Sequence, residues 1–144
     1  MTLHVIVPVY NASRYISEAL HSILDRRDHA PFAANIVLGN DGSSDNSGEI
    51  CKEFAERYTG IAYIEQKNKG VSAARNAAMQ HVFQNCASDD WIGFLDADDA
   101  WHCDWPLALE QCRRSTVDVI GFGMSFADEH LKMRGGDTSR KSEH

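Results

Sequence analysis

The sequence predicts an α/β fold with a mostly parallel sheet flanked by helices. Short apolar runs alternate along the chain with segments whose apolar residues recur at helical spacing, a pattern typical of strand–helix–strand units. The first run, residues 5–9, is apolar throughout, as expected of a strand that is buried on both faces of a parallel sheet. Polar clusters follow three of the runs directly, at the strand ends where such sheets bind ligands.

Five strands are predicted from the apolar runs at residues 5–9, 36–38, 61–64, 91–95 and 117–122. Pro8 cannot donate a hydrogen bond to a neighbouring strand, so it is expected near the end of the first strand. The turn residues at 39–46 predict the end of the second strand, and residues 68–70 predict a turn before the third helix.

Four helices are predicted between these strands. The first has one apolar face, made by Ile16, Ala19, Leu20, Ile23 and Leu24, with Ser13 as its expected N-cap. The second is predicted around residues 50–58, where Asn46 and Glu49 have the spacing of a capping box. The third follows from Val71, Ala74, Ala78 and Val82, and a short fourth helix follows from Leu107, Leu109 and Cys112.

The size and composition are those of a single globular domain, expected over residues 1–132, with a polar tail at 133–144 that is expected to be disordered. The net charge of −7 argues against a nucleic-acid partner. Four cysteines without CxxC spacing predict free thiols in a reducing compartment. Without a signal peptide or membrane span, the expected location is the cytoplasm, with the inner face of the membrane as the alternative.

An acidic cluster, formed by Asp96, Asp98 and Asp99, follows the fourth apolar run. In an extended segment residues i and i+2 point to the same side, so Asp96 and Asp98 are expected to face one point. Carboxylates gathered there raise one another's pKa unless a cation neutralises them, and their oxygens suit Mg²⁺ or Mn²⁺. The alternative is an acidic turn that caps the next helix, but a position after a wholly apolar strand favours the metal site.

Other polar residues are expected at the same edge of the sheet. Tyr10 and Asn11 follow the first strand, and Asp41 follows the second, where it could accept a hydrogen bond from a base or a ribose hydroxyl. Arg75, in the third helix, could bind a carboxylate or a phosphate with its planar guanidinium. Each has an ordinary alternative, a plain turn or a surface salt bridge, but their convergence at one edge favours a binding site. Trp101, beside the acidic cluster, could contact a sugar.

A zinc site at His102, Cys103 and Asp104 is not predicted, because the spacing differs from that of structural zinc ligands.

Four segments together resemble the family 2 glycosyltransferases, which have the GT-A (Rossmann-like) fold. They are VIVPVYN at 5–11, VLGNDGSSD at 37–45, NKGVSAARN at 68–76 and IGFLDADD at 92–99. The segments occur in the family's order, and the resemblance covers residues 3–130. It identifies the chain as the N-terminal, donor-binding part of such an enzyme.

The resemblance implies roles for individual residues. Pro8 and Tyr10 would border the nucleotide base, Asp41 would lie near the base or ribose, and Arg75 would lie near the nucleotide. Asp96 and Asp98 would form the family's DxD pair, with Asp98 the direct ligand of a Mn²⁺ or Mg²⁺ ion that bridges the diphosphate. The expected donor-binding set is therefore Pro8, Tyr10, Asn11, Asp41, Arg75 and Asp96, and the expected metal ligands are Asp98 and Asp96.

The chain departs from the family pattern in two respects. Asn40 stands where the family often has an aspartate, which leaves the choice of base less defined. The chain also stops before the acceptor-binding half that supplies a general base in the family. The segment around Asp128 and Glu129 resembles the turn after the fifth strand, so no candidate for the catalytic base is assigned.

The leading hypothesis is an inverting glycosyltransferase that transfers a sugar from a UDP-sugar to a hydroxyl of a glycan, lipid or polysaccharide. The alternative is a truncated module that binds nucleotide-sugar and metal without transfer. A nucleotidyltransferase is a weaker third hypothesis, because residues 11–14 lack the expected Gly-rich, basic loop. An open sheet edge also favours a homodimer.

Overall fold

The computed structural model describes residues 1–116 and 118–121, in which strands and helices alternate along the chain. The elements are β1 (Thr2–Val9), α1 (Ile16–Arg27), β2 (Ala33–Asn40), α2 (Ser47–Arg57), β3 (Ile61–Glu65), α3 (Val71–Phe83), β4 (Trp91–Phe94) and α4 (Trp105–Arg113). This alternation confirms the predicted α/β class.

The four strands form one parallel sheet in the order β3-β2-β1-β4. From β1 the chain moves outward through β2 to β3 and then returns to place β4 on the other side of β1. The direction of winding thus reverses at β1, between β2 and β4. Ligands of open α/β sheets bind at the carboxyl ends of the strands beside such a reversal.

Alternate side chains of β1 pack into two separate apolar layers. Leu3, Val5, Val7 and Val9 face a layer built with α1, α2 and α4, in which Ile16, Cys51 and Leu109 are buried. Ile6 faces the opposite layer, where it packs with Val37 of β2 and with Ala78 and Val82 of α3. Helices therefore cover both faces of the sheet, which accounts for the apolar character of the whole run at residues 5–9.

β2 is longer than predicted. Gly39 and Asn40, which the sequence assigns to a turn, lie in the strand and pair with Pro8 and Val9 of β1. The extra hydrogen bonds to a full-length neighbour outweigh the turn preference of glycine and asparagine. Pro8 lies one residue before the end of β1, as predicted.

α1 buries the predicted face, which comprises Ile16, Ala19, Leu20, Ile23 and Leu24. The predicted N-cap of α1 is wrong, whereas that of α2 is right in position but lacks the capping hydrogen bond. Tyr15, not Ser13, occupies the N-cap position of α1, and Asn46 occupies that of α2 without a side-chain hydrogen bond. Ser13 instead donates its backbone N–H to Asp45 Oδ2 at 3.1 Å. Contacts between loops have taken the place of local capping.

Several predictions concern residues outside the described part of the chain. The predicted fifth strand includes residues 117 and 122, which are not described, and the described residues 118–121 contain no strand. The turn near Asp128 and Glu129, the domain limit at 132 and the tail at 133–144 also lie outside.

All four cysteines are free, as predicted. Among the described residues, no helix has the length and apolar character needed to cross a membrane.

A polar anchor lies at the amino ends of the strands, on the opposite side from the polar clusters. Asp90 accepts hydrogen bonds from the backbone N–H groups of Thr2 (2.6 Å) and Ala87 (2.9 Å), and its Oδ2 lies 3.1 Å from His4 Nε2. The hydrogen bonds from Ala87 and His4 outweigh desolvation and lower the pKa of Asp90 to about 2. Asp90 therefore stabilises the fold above its ordinary pKa of 3.8, and this contribution is lost as the pH falls through about 2.

We expect Asp90→Ala to lower the free energy of unfolding by roughly 1–3 kcal/mol at neutral pH, because it removes a buried acceptor with three partners. The difference from the wild type should shrink as the pH falls from about 4 to about 2. Urea denaturation across this pH range measures the effect. Asp89→Ala is the control, because the exposed Asp89 pairs with the terminal amino group of Met1 and, in the described part of the chain, with no other group. A loss that is the same at every pH would contradict the assignment.

Candidate functional site

Four loops meet the carboxyl edge of the sheet. They are the β1–α1 loop (residues 10–15), the β2–α2 loop (41–46), the β3–α3 loop (66–70) and the β4–α4 loop (95–104). Because all four strands are parallel, every one of these loops lies at the same end of the sheet. All of the predicted site residues lie in these loops, at the end of β1 or in the first turns of α3.

Asn11 joins the β1–α1 loop to the β2–α2 loop. Its Oδ1 accepts hydrogen bonds from the backbone N–H groups of Ser44 (2.8 Å) and Asp45 (3.3 Å), and its own N–H donates to Ser43 Oγ (3.1 Å). Asn11 has a φ of 47°, a left-handed conformation that asparagine tolerates better than most residues. The side chain predicted to bind the donor is therefore engaged in holding two loops together.

Asp45 and Ser47 complete this connection. Ser47 Oγ accepts from Ala12 N–H at 2.8 Å, and Asp45 accepts from the N–H groups of Ser13 (3.1 Å) and Ser47 (2.9 Å). Desolvation raises the pKa of Asp45, but the hydrogen bonds from Ser47 and Ser13 prevail and lower it to about 2. The serine-rich segment after β2 thus fixes the loop after β1, a role that turn composition alone does not reveal.

Asp41 connects β2 to the β3–α3 loop. Its carboxylate is 2% exposed, and it accepts hydrogen bonds from Gln66 Nε2 (2.7 Å), Lys69 N–H (2.8 Å) and Gly70 N–H (2.9 Å). Burial raises the pKa of Asp41, but these three donors outweigh it and lower the pKa. A carboxylate has about four acceptor positions, so most of its capacity is used within the chain. Sequence reasoning missed Gln66.

Gly42 lies against the same β3–α3 loop. It has a φ of 69°, and a Cβ at this position would come within 2.8 Å of the backbone nitrogen of Asn68. Glycine is therefore required here because two loops of the chain approach each other closely.

Asn40, which stands where the family often has an aspartate, is buried and connects two segments of the chain. Its Nδ2 donates to the Tyr63 hydroxyl at 2.9 Å, and its Oδ1 accepts from Ser43 N–H (3.2 Å) and Ser43 Oγ (2.7 Å). The amide uses both its donor and its acceptor side, which an aspartate could not do. Asn40 therefore holds β2 to β3 and shapes the loop that follows.

The acidic cluster alternates with buried apolar residues. Leu95 and Ala97 are 3% and 7% exposed, whereas Asp96, Asp98 and Asp99 are exposed. Asp96 and Asp98 therefore lie on the solvent side of the segment, but the backbone is not extended as predicted. Residues 97–98 form a turn, in which Asp99 N–H donates to the Asp96 carbonyl oxygen at 3.0 Å. Burial, followed by the charges of Asp98 and Asp96, raises the pKa of Asp99. The mutual repulsion predicted from the sequence is thus present at Asp99.

Arg75 of α3 reaches the acidic cluster. Its Nη2 lies 2.5 Å from Asp96 Oδ1, in an ion pair whose side chains are 34% and 52% exposed. Within the described chain Arg75 thus forms the salt bridge that was the ordinary alternative to ligand binding, and its partner is Asp96 of the acidic cluster. The Nε of Arg75 is buried and, within the part of the chain that the structure describes, has no hydrogen-bond partner.

The remaining predicted residues differ in accessibility. Tyr10 is 51% exposed, whereas Pro8 is buried in β1 opposite Gly39. Trp101 packs against Trp105, with ring centroids 5.5 Å apart, and lies over Gly93. The ring of Trp101 thus belongs mainly to the apolar layer beneath α4, and Tyr10 is the more accessible aromatic residue at this edge.

His102, Cys103 and Asp104 lie together before α4, with ligand atoms within 4.8 Å of one another. All three side chains are exposed, and they are consecutive residues of one turn. Among the described residues this is the only group of three potential ligands gathered so closely. The three aspartates of the acidic cluster do not form such a group.

The fold and this edge define the class of protein: a GT-A-type α/β domain with an acidic cluster and an arginine at the reversal of its sheet. Residues 4–135 match the family described as glycosyl transferase family 2. The chain belongs to that family, and the predicted resemblance is confirmed.

Relatives of known sequence support the assignment. The chain is 46% identical over 95 residues to glycosyltransferase GlyA of Streptococcus pneumoniae, a match that covers 66% of this chain and 12% of GlyA. It is 35% identical over 120 residues to the uncharacterized glycosyltransferase EpsJ of Bacillus subtilis, covering 83% of this chain and 33% of EpsJ. It is 40% identical over 128 residues to the minor teichoic acid biosynthesis protein GgaB of B. subtilis, a match that covers 86% of this chain and 14% of GgaB. The chain thus spans a third or less of each relative.

Solved structures share the fold. S. aureus TarS 1-349 in complex with UDP has a TM-score of 0.63 at 23% identity, and the match covers 90% of this chain and 40% of that one. The complex of the same protein with UDP-GlcNAc has a TM-score of 0.62 at 22% identity, with coverage of 90% and 39%. At this identity the likeness establishes the GT-A fold.

Proposed function

We propose that this chain is the donor-binding part of a glycosyltransferase that takes a sugar from a nucleotide-diphospho-sugar. The observation that carries the proposal is the exposed acidic cluster with Arg75 at the sheet reversal, in a chain of this family. S. aureus TarS has been solved in complex with UDP and with UDP-GlcNAc, which supports a UDP-sugar as the donor. The teichoic acid relative GgaB supports an acceptor hydroxyl on a cell-surface polymer.

The proposed donor site combines an exposed aromatic ring with a buried carboxylate. Tyr10 offers an exposed ring on which a base could stack, and Pro8 and Asn11 set the backbone beside it. Asp41 holds the β3–α3 loop from within, and it has acceptor capacity left for one hydrogen bond from the base or ribose. Arg75 and Asp96 lie on the diphosphate side of the site.

A divalent cation fits the residues that are present. The carboxylate of Asp98 is exposed and, among the described residues, has neither a hydrogen bond nor an ion pair. Carboxylate oxygens suit Mn²⁺ or Mg²⁺. Asp98 would hold the ion directly, and Asp96 would contribute once it is free of Arg75. When bound, such an ion offsets the charge that develops on the departing nucleoside diphosphate.

The proposed reaction is a single in-line displacement that inverts the anomeric carbon. A bond forms between the acceptor oxygen and that carbon as the bond from the carbon to the diphosphate oxygen breaks. The acceptor proton passes to a base that none of the assigned residues supplies. In this chain Arg75 binds and orients the diphosphate, while the loops joined by Asn11 and Asp41 hold the base and ribose.

The test is a thermal-unfolding measurement with UDP and Mn²⁺. At a UDP concentration 100 times Kd, binding stabilises the folded chain by about 2.7 kcal/mol, which raises the melting temperature by several degrees. Asp98→Ala is expected to abolish the metal-dependent part of this rise, since it removes the proposed ligand from an exposed position. Asp25→Ala, which removes an exposed carboxylate on α1, is the matched control.

Two outcomes would refute parts of the proposal. If UDP with Mn²⁺ leaves the melting temperature of the wild type unchanged, the acidic cluster is not a donor site. If Asp25→Ala and Asp98→Ala reduce the shift equally, the cation does not bind at Asp98. The binding-only alternative is tested separately, because release of sugar from a UDP-sugar by this chain would exclude it.

A further inference from the structure

Among the described residues, Arg75 is the basic side chain that pairs with the acidic cluster, and it pairs with Asp96 and not with Asp98. The Nη2 of Arg75 lies 2.5 Å from Asp96 Oδ1, whereas Asp98 has no ion pair among the described residues. An arginine that faces a carboxylate squarely donates two parallel hydrogen bonds. Here a single nitrogen of the guanidinium makes the contact, so the pairing with Asp96 leaves part of the binding capacity of Arg75 unused.

The unused capacity lies inside the protein. Arg75 Nε is buried, and within the described residues it has no hydrogen-bond partner. A buried donor without an acceptor is unfavourable and normally acquires a partner. The guanidinium therefore has a reason to move toward a group that offers several oxygens, and a diphosphate is such a group.

Asp96 is accessible to a cation from solvent. Its carboxylate is 52% exposed and lies two residues before Asp98, the proposed metal ligand. While Arg75 holds an oxygen of Asp96, a cation must compete for that oxygen and approach against a positive charge. A diphosphate would draw Arg75 away and leave Asp96 available to the cation.

We propose that Arg75 is an internal counter-ion that occupies Asp96 in the free chain and moves to a diphosphate oxygen when nucleotide and divalent cation bind together. The inference rests on the proposed function and adds to it that the cation and the nucleotide depend on each other for binding. Arg75 keeps the affinity for the bare cation low and makes cation and nucleotide bind cooperatively. Such coupling is reciprocal, so each ligand raises the affinity for the other by the same factor.

The variant Arg75→Gln separates these effects. Titration calorimetry would measure the Kd for Mn²⁺ alone, for UDP alone and for UDP at saturating Mn²⁺. Without the competing charge, we expect Mn²⁺ alone to bind about tenfold more tightly than to the wild type. UDP at saturating Mn²⁺ should bind at least about tenfold more weakly, and the coupling factor should fall toward one.

Two further variants define the cause. Arg75→Lys keeps the charge but loses the planar guanidinium, so Mn²⁺ alone should bind as weakly as to the wild type while UDP binding still falls. Arg113→Gln removes an equal charge from α4, where Arg113 pairs with Glu110, and should change neither Kd. Melting temperatures close to that of the wild type would establish that the variants are folded.

The possible results distinguish failure of the counter-ion role from failure of the proposed function. If Arg75→Gln weakens Mn²⁺ and UDP binding alike, Arg75 only orders the site, and the counter-ion role is overturned. If it leaves the coupling factor unchanged while the wild type binds UDP with Mn²⁺, the inference fails and the proposed function stands. If the wild type binds no UDP, the proposed function fails first.

Discussion

Replacing Asp41 with alanine is expected to lower the free energy of unfolding by about 3 kcal/mol, because three donors lose their acceptor. Gln66 Nε2 and the N–H groups of Lys69 and Gly70 all donate to this 2%-exposed carboxylate. An unsatisfied buried donor costs at least about 1 kcal/mol, and the small cavity left behind adds to that. Urea denaturation at neutral pH measures the loss.

The same variant should also weaken UDP binding at saturating Mn²⁺. The β3–α3 loop leads directly into α3, and Arg75 lies in the second turn of that helix. Without Asp41 the start of α3 is no longer fixed to the end of β2, so Arg75 is less well positioned. Asp41→Asn should have a smaller effect on stability, because its amide oxygen retains one acceptor group for these donors.

The depressed pKa of Asp41 gives a further check with a defined sign. Its contribution to stability is present above the ordinary pKa of 3.8 and is lost as the pH falls through the lower folded value. The gap between the wild type and Asp41→Ala should therefore narrow in acid. Asp98→Ala is the contrasting control, because it should abolish metal-dependent binding and leave the urea midpoint unchanged. An unchanged midpoint for Asp41→Ala would refute the role assigned to Asp41.

The fold is predictable from the sequence where burial follows a regular period. The five apolar residues of α1 are all buried as their spacing predicts, and Asp96 and Asp98 alternate with buried Leu95 and Ala97. The first prediction depends on the 3.6-residue period of the helix, which is local and fixed. The second holds for the exposure of the two aspartates, although residues 97–98 form a turn and not the extended segment expected. Neither prediction needed knowledge of distant parts of the chain.

The roles of the polar loop residues are less predictable, because their partners are distant in sequence. Asp41 meets Gln66 across 25 positions, and Asn11 meets Ser44 across 33. Turn residues that bind a ligand and turn residues that bind another loop have the same composition. The sequence predicts that these side chains converge, and only the three-dimensional arrangement reveals that most of their hydrogen bonds are internal.

Gly39→Val is expected to lower the free energy of unfolding by about 2 kcal/mol and to shift α3 away from the sheet. A Cβ at Gly39 would lie 3.0 Å from the backbone carbonyl oxygen of Ala74. Because that atom belongs to the helix backbone, it cannot swing aside as the end of a flexible side chain would. Valine is otherwise favoured in strands, so the loss would report the contact between β2 and α3.

The displacement has a functional consequence, since Arg75 directly follows Ala74. If α3 moves outward, the guanidinium is carried away from Asp96, and UDP should bind more weakly at saturating Mn²⁺. Ala33→Val is the matched control, because it adds bulk to the same strand at an exposed position and should alter neither stability nor binding. Equal urea midpoints for the two variants would mean that α3 can yield without cost. The close approach at Gly39 would then have no part in holding Arg75 against the acidic cluster.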